Sequence, residues 1–222
     1  MNNQPQAELE WRDGTIPISR KFDDPYFSLD NGLAETRHVF IDGNDLPQRF
    51  GGDFQIGELG FGTGLNFLTV WKVWEEAGSP GTLSFTTFEA FPMAIADMEN
   101  ALTAFPEVAP WAAKMIDGLT KGDTKFGPVT LNIVVGDVRQ TLPQSDLMAD
   151  AWFLDGFSPA KNPEMWGADL MAEVGRHTAQ NGTAATYTAA GHVRRALEDA
   201  GFVVTRTAGY GRKRHMTRAL KR

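Results

Sequence analysis

The sequence predicts an α/β fold built on a mostly parallel, doubly wound sheet, preceded by an N-terminal cover segment over residues 1–50. Three observations carry this prediction. From Phe54 onward, short β-rich apolar runs alternate with stretches of helical periodicity, as in parallel strands joined by crossover helices. The first run leads straight into a glycine loop, Gly60-Phe61-Gly62-Thr63-Gly64. Acidic residues then end successive strands, where doubly wound sheets bind their ligands.

Taken in order, residues 1–50 are rich in turn formers and aromatics, with a helix-like stretch from Gly32 to Phe40 closed by Asp42-Gly43-Asn44. This segment is too short to bury a core of its own, so it is expected to pack on residues 51–222, which form one globular unit. Phe54 to Leu59 reads as a strand. Leu65 to Ala77 reads as a helix, with Phe67, Leu68, Trp71 and Trp74 on one face at spacings of three and four. Thr82 to Phe88 is β-rich and runs into Glu89, and Met93 to Phe105 is helical up to Pro106. Val129 to Val135 alternates and ends at Gly136-Asp137; Ala151 to Leu154 is a buried strand ending at Asp155. Pro163 to Thr178 is expected to be a helix with proline in its first turn. A strand from Thr183 to Thr188, a helix from Gly191 to Ala200, and strands Phe202 to Thr207 and Arg214 to Leu220 close the sheet.

Composition narrows the classes further. Of 222 residues, 42% are hydrophobic and 11% aromatic, enough for a packed core and against a disordered chain. There is no cysteine, which excludes disulfides, thiolate metal sites and a thiol nucleophile. Met1 to Gly14 is polar and acidic, unlike a secretory signal, and no run of about 18 apolar residues is present to span a bilayer. These features lead to the expectation of a cytoplasmic protein with no membrane contact. Charge is unevenly placed: residues 191–222 carry nine Lys/Arg against two acids, whereas residues 1–190 carry 12 against 26. A basic end on an acidic body suits an anionic partner, though a solvated edge strand gives the same count.

The glycine loop is selective. Glycines permit positive φ and let a ligand approach the backbone. A dinucleotide site needs a third glycine where Leu65 stands, and a phosphate loop needs Lys-Ser/Thr where Leu65-Asn66 stand, so neither fits. The spacing Glu-x-Gly-x-Gly-x-Gly instead matches Rossmann-like class I S-adenosylmethionine-dependent methyltransferases. Their cofactor bears a sulfonium and an ammonium and has no pyrophosphate, so carboxylates belong nearby. The expected cofactor set is Glu58, Gly60, Gly62, Thr63, Gly64 and Asn66 around the loop, Glu89 on the ribose hydroxyls and Asp137 on the adenine amino group.

After the fourth strand comes Asp155-Gly156-Phe157-Ser158-Pro159, where amine-methylating enzymes of this class place a substrate loop. Methyl transfer is an in-line displacement, helped chiefly by positioning and electrostatics. Asp155 is expected to accept an N–H from a neutral amine, and Phe157 to stack on a base or exclude water. His38, His177, His192 and His215 lack metal-ligand spacing, and Ser158 lacks a nucleophile elbow, so neither metal nor hydrolase chemistry is expected. Arg212-Lys213-Arg214 offers contacts to phosphates.

These runs resemble a known family. Residues 22–33, Glu35-Thr36-Arg37-His38-Val39-Phe40, 58–67, Asp150 through Trp166, Ala190 through Phe202, and 209–214 are similar to the methyltransferase domain of the MnmC family, from about Leu9 to Met216. The resemblance implies transfer of a methyl group from S-adenosylmethionine to 5-aminomethyl-2-thiouridine at the tRNA wobble position, giving 5-methylaminomethyl-2-thiouridine. It implies that a flipped uridine of the anticodon stem-loop meets Asp155 and Phe157, and that Asp24 and Tyr26 fold over the cofactor pocket. Fused members carry a flavin-dependent oxidase domain. With one dinucleotide-like loop and 222 residues, this chain is expected to bind no FAD and to take an aminomethyl intermediate supplied separately. Ser158 stands where alanine is frequent in the family. A small-molecule or protein amine methyltransferase on the same fold is the alternative, and a non-catalytic cofactor-binding module the third.

Overall fold

The computed structural model describes residues 5–28 and 31–222; residues 1–4 and 29–30 of the N-terminal cover segment lie outside the described residues. That segment contributes three short antiparallel strands, β1 (Leu9–Arg12), β2 (Ile16–Ser19) and β3 (Asp24–Pro25), in a sheet of their own. It continues as helix α1 (Gly32–Thr36), capped by the Asn31 side chain on the Ala34 N–H. A π-turn over Arg37–Ile41 and a 3₁₀ turn over Asp42–Asn44 follow, so the expected helix-like stretch is present in a wound-down form. The three strands had no counterpart in the sequence reading. Each spans four residues or fewer and is only partly buried, so no apolar run announces it.

The main body alternates as expected: β4 (Asp53–Leu59), α2 (Leu65–Glu76), β5 (Thr82–Glu89), α3 (Ile95–Leu102), α4 (Ala109–Lys121), β6 (Lys125–Phe126) and β7 (Val129–Val135). Then come α5 (Val138–Thr141), β8 (Ala149–Leu154), α6 (Ala168–Arg176), β9 (Thr178–Thr186), α7 (Gly191–Asp199), β10 (Phe202–Ala208) and β11 (His215–Lys221). The eight-stranded sheet runs β10-β11-β9-β8-β4-β5-β7-β6. Its centre, β9-β8-β4-β5-β7, is parallel, while β6, β10 and β11 join antiparallel. This is the Rossmann-like, doubly wound arrangement that the strand–helix alternation predicts.

Neighbouring residues of β8 show how one sheet seals two cores. Phe153 packs with Phe67, Trp71 and Phe85 on the α2 face, while Trp152 and Leu154 pack with Leu170, Val174 and Val193 on the α6–α7 face. Gly57 of β4 is required by this packing, since a Cβ there would stand 2.7 Å from the Trp152 ring.

The body departs from the sequence reading in several places: β6 and the short α5 are additional, β9 begins at Thr178 where a strand from Thr183 was expected, and two further elements differ more. Helix α4 is additional, although its signals are ordinary ones: Pro110 in the first turn, Ala112 and Met115 buried, and Gly122 left-handed at the end. Its Trp111 indole N–H reaches Glu75 Oε2 at 3.0 Å, and Trp71 of α2 donates to Glu75 Oε1 at 2.9 Å, so one carboxylate fastens the two helices. The expected Pro163–Thr178 helix is split. Pro163–Trp166 is a 3₁₀ turn, Gly167 is extended, α6 follows, and Thr178 already belongs to β9. The turn is pinned because the buried Trp166 indole donates to Phe157 O at 2.9 Å.

Candidate active site

A cavity of about 690 Å³ opens at the carboxyl ends of β4, β5, β7 and β8, roofed by residues of the N-terminal segment. Its size falls in the range of cofactor clefts. Gly60, Phe61, Gly62 and Thr63 line it, with Glu89, Asp137, Asp155, Phe157, Asp24 and Tyr26. The sequence-predicted residues are therefore gathered on one wall system, with two exceptions. Glu58 and Gly64 stand behind the wall; Glu58 is fully buried, and a Cβ on Gly64 would lie 3.0 Å from Met115 and Phe61.

The loop owes its path to glycine. Gly60, Gly62 and Gly64 have φ of +87°, +55° and +81°, a region that side-chain-bearing residues disfavour. Glu89, at the end of β5, holds this path. Its Oε2 accepts the backbone N–H groups of Phe61 and Gly62, each at 3.1 Å, and its Oε1 accepts that of Phe91 at 2.8 Å. The expected ribose carboxylate thus has a structural duty as well, with three of about four lone-pair sites engaged. Burial pushes its pKa up, against the pull of those N–H groups.

Beneath the loop lies a buried polar cluster. Asn66, in the first turn of α2, donates both hydrogens of its Nδ2, one to Glu58 Oε1 at 2.9 Å and one to Asp155 Oδ2 at 2.8 Å. Its Oδ1 accepts from the Thr36 hydroxyl at 2.9 Å. Glu58 Oε2 and the Thr87 hydroxyl beside it are both buried without a hydrogen-bond partner, and burial drives the Glu58 pKa well above the usual carboxylate range, against the pull of the Asn66 and Thr87 side chains. The expectation that Glu58 touches the cofactor is therefore replaced by a supporting position under Asn66. Asp155 Oδ1 accepts the Gly156 N–H at 2.8 Å. Burial pushes the Asp155 pKa up to about 6, while Asn66, the Gly156 N–H and the Lys213 ammonium hold it from rising further.

The Asp155–Ser158 loop is clamped from above. Phe22 stacks on Phe157 with centroids 4.7 Å apart, Tyr26 meets the same ring edge-on at 5.1 Å, and Asp24 Oδ2 accepts the Ser158 N–H at 2.8 Å. Lys161 bridges to Asp23 and lies 3.7 Å from Asp24 Oδ1. Phe157 is thus part of an aromatic cluster with the N-terminal segment. Asp137 caps α5 and is gripped by Arg139, whose guanidinium lowers its pKa. Asn162 also reaches the wall.

Several wall residues were not foreseen. Tyr187 follows β9 and donates its hydroxyl to Gly156 O at 2.7 Å; the strand-end rule that found Asp155 also reaches it. Lys213 lies over the Tyr187 ring at 4.1 Å and pairs with Glu35 at 2.7 Å, a place inside the cavity that its basic run does not reveal. Thr36 and Phe22 come from the N-terminal segment; both stand in runs that carry the family resemblance, but no spacing in those runs puts either at the cavity. Among the described residues, no group of three or more His, Asp or Glu side chains is placed to hold a metal, and no helix is long and apolar enough to cross a membrane.

Comparison with known proteins accords with this geometry. The chain is 46% identical over 229 residues to the tRNA 5-methylaminomethyl-2-thiouridine biosynthesis bifunctional protein MnmC of Pseudomonas paraeruginosa, covering 97% of this chain and 35% of that protein. It is 46% identical over 224 residues to the protein of the same name in Chromobacterium violaceum, covering 95% and 34%. The chain thus spans about a third of the length of these curated relatives. The crystal structure of MNMC2 from Aquifex aeolicus shares the fold, with a TM-score of 0.76 at 24% identity, covering 98% of this chain and 71% of that one. A family model described as S-adenosyl-L-methionine-dependent methyltransferase matches residues 101–222. The chain belongs to the S-adenosyl-L-methionine-dependent methyltransferase family.

Proposed function

We propose that this enzyme methylates the primary amine of 5-aminomethyl-2-thiouridine at the wobble position of tRNA, giving 5-methylaminomethyl-2-thiouridine. The observation that carries the reading is the Asp155 carboxylate, set at the end of β8 inside an aromatic-walled cavity with its Oδ2 aimed by Asn66. The chain's donor set suits S-adenosylmethionine. Glu35 and Glu89 face the cavity and match a ligand with sulfonium and ammonium charges, and the left-handed glycines let it lie against the backbone. Gly60, Gly62, Thr63 and Glu89 would hold it along the loop, with Asp137 at the adenine end and Asp24 and Tyr26 above, while the Asn66 carboxamide is engaged by Thr36, Glu58 and Asp155. Bound there, the cofactor supplies an electrophilic methyl group.

The remaining work falls to the chain. An amine needs its lone pair to react, so it must enter neutral or lose a proton. Asp155, with a pKa of about 6, is a carboxylate at neutral pH; it accepts one N–H, aims the lone pair and balances the positive charge that develops on nitrogen. Phe157, supported by Phe22 and Tyr26, is an apolar face for a splayed pyrimidine and keeps water from the amine. The basic balance of residues 191–222, nine Lys/Arg against two acids, suits a polyanionic substrate. A tRNA substrate places the protein in the cytoplasm, and another catalytic unit must supply the aminomethyl group.

Mass analysis of tRNA nucleosides from cells lacking this protein tests the proposal. Accumulated 5-aminomethyl-2-thiouridine is expected; an unchanged profile overturns the tRNA reading. Affinity for tRNA should also fall steeply as salt rises, and a flat dependence would argue for a small-molecule or protein substrate.

A further inference from the structure

The polar cluster beneath the loop begins in the N-terminal segment. We propose that Thr36 is a positioning residue for Asp155, acting through the Asn66 carboxamide. This inference rests on Asp155 being the group that accepts the amine N–H.

The case is one of hydrogen-bond accounting. A carboxamide has one acceptor side and one donor side. The Thr36 hydroxyl, 5% exposed, donates to Asn66 Oδ1 at 2.9 Å on one side, and the Asp155 carboxylate, which only accepts, takes an N–H on the other; the two together fix the orientation of the amide. Both N–H groups must then point the other way, and the two atoms waiting there are Glu58 Oε1 and Asp155 Oδ2. Turned over, the amide would set its oxygen against two carboxyl groups, and Asp155 would keep only the Gly156 N–H at Oδ1. Glu58, sealed beneath Asn66 with its pKa pushed up by burial, is the second acceptor that the Asn66 amide holds in the cluster. α1 thereby sets the direction of a carboxylate 119 positions further along the chain, in a segment that also covers the cavity.

The same accounting predicts how Asp155 titrates. The groups facing it are Glu58 below, Lys213 and Glu35 as an ion pair across the cavity, the Tyr187 phenol, and the Asn66 and Gly156 N–H groups. Lys213 and the two N–H donors favour the carboxylate; burial and Glu35 oppose it. An Asn66 amide freed from Thr36 donates less well, so Asp155 binds its proton more tightly.

The test compares Thr36→Val, which keeps shape without the hydroxyl, with Thr36→Ser, which restores it. Two quantities are read: the pH profile of methyl transfer to tRNA bearing the free amine, and the carboxyl ¹³C titration of Asp155 in protein without cofactor. Thr36→Val is expected to lower kcat about tenfold, the scale of one buried hydrogen bond, to raise the Asp155 midpoint above 6, and to leave the S-adenosylmethionine Kd within about twofold. Thr36→Ser should return both quantities to wild type. An unmoved Asp155 midpoint overturns the proposal, and so does a loss of rate matched by an equal loss of cofactor binding. If Thr36→Val does not fold, Thr36→Ala carries the same expectation. Asp155→Asn separates the two readings. If it keeps wild-type turnover, the role of Asp155 itself is wrong; if it abolishes turnover while Thr36→Val leaves the midpoint fixed, only the positioning role is wrong.

Discussion

Glu89 Oε2 accepts the backbone N–H of Gly62 at 3.1 Å, so the residue expected to bind a ribose also holds the loop that the ribose must meet. Removing it therefore acts twice. Glu89→Ala is expected to weaken S-adenosylmethionine binding at least tenfold and to cost about 1–3 kcal/mol of stability from three N–H groups left without their acceptor. Glu89→Gln should be less harmful to folding than Glu89→Ala, yet still weaken binding, because its amide nitrogen cannot accept. Calorimetric binding and denaturant unfolding check both; an unchanged Kd in Glu89→Ala would remove Glu89 from the cofactor site.

Asp155→Ala should leave cofactor affinity near wild type while transfer falls about 10²-fold or more, the scale of losing one preorganised electrostatic group. In the wild type the rate should rise with pH through an ascending limb near 6, where the carboxyl loses its proton. Steady-state rates between pH 5 and 8 measure both effects, and near wild-type turnover of the variant would sink the assignment.

Stability carries the same signature with a defined sign. Burial holds the Asp155 carboxyl at about 6 in the folded protein against 3.8 for a free aspartate, so between those values the folded state holds a proton that the unfolded chain has released. The contribution is complete below pH 4 and is lost as pH rises through 6. Glu58 and Glu89, also raised by burial, act in the same direction. The stability difference between wild type and Asp155→Asn should therefore shift against the wild type across this window, and a difference independent of pH would contradict it.

Gly62→Ala tests the close fit of the loop. At φ +55° a Cβ is strained by about 1–2 kcal/mol, and it would also stand 3.1 Å from Tyr26 Cδ1. We expect cofactor binding to weaken at least tenfold. Adding Tyr26→Ala should relieve the contact but not the backbone strain, so stability recovers in part only.

Asp24→Ala should loosen the Phe157 loop more than Lys161→Ala does. The first leaves the Ser158 N–H without its acceptor, at about 1–3 kcal/mol, whereas the second removes a half-exposed ion pair worth about 0.2–1 kcal/mol. Hydrogen exchange over residues 156–162 ranks the two variants. Equal protection in both would dissociate Asp24 from the loop.

What the sequence makes legible here follows strand geometry. Glu89, Asp137 and Asp155 can be picked out because each stands just beyond a run of apolar β-formers, and a parallel sheet brings such ends together. The position of Glu58 escapes the same rule: it lies within β4, and only packing decides that its side chain points beneath the loop. Thr36 is further out of reach, since its partner is 30 residues away and no periodicity links a short helix to the first turn of α2. β1 to β3 are hidden by their brevity. Helix α4 was available from Pro110, Met115 and Gly122, and Gly167 marked the break in the Pro163–Thr178 stretch.

The strand order has a consequence for how the chain is made. β11 follows β10 in sequence yet lies between β10 and β9. A ribosome therefore releases β10 before its neighbour in the sheet among the described residues exists, and Phe202–Ala208 must wait for that partner until residues 215–221 emerge and slip in beside β9. The same hairpin delivers Lys213 to the cavity, so this wall of the pocket is completed only after β4, β5, β7 and β8 have been made.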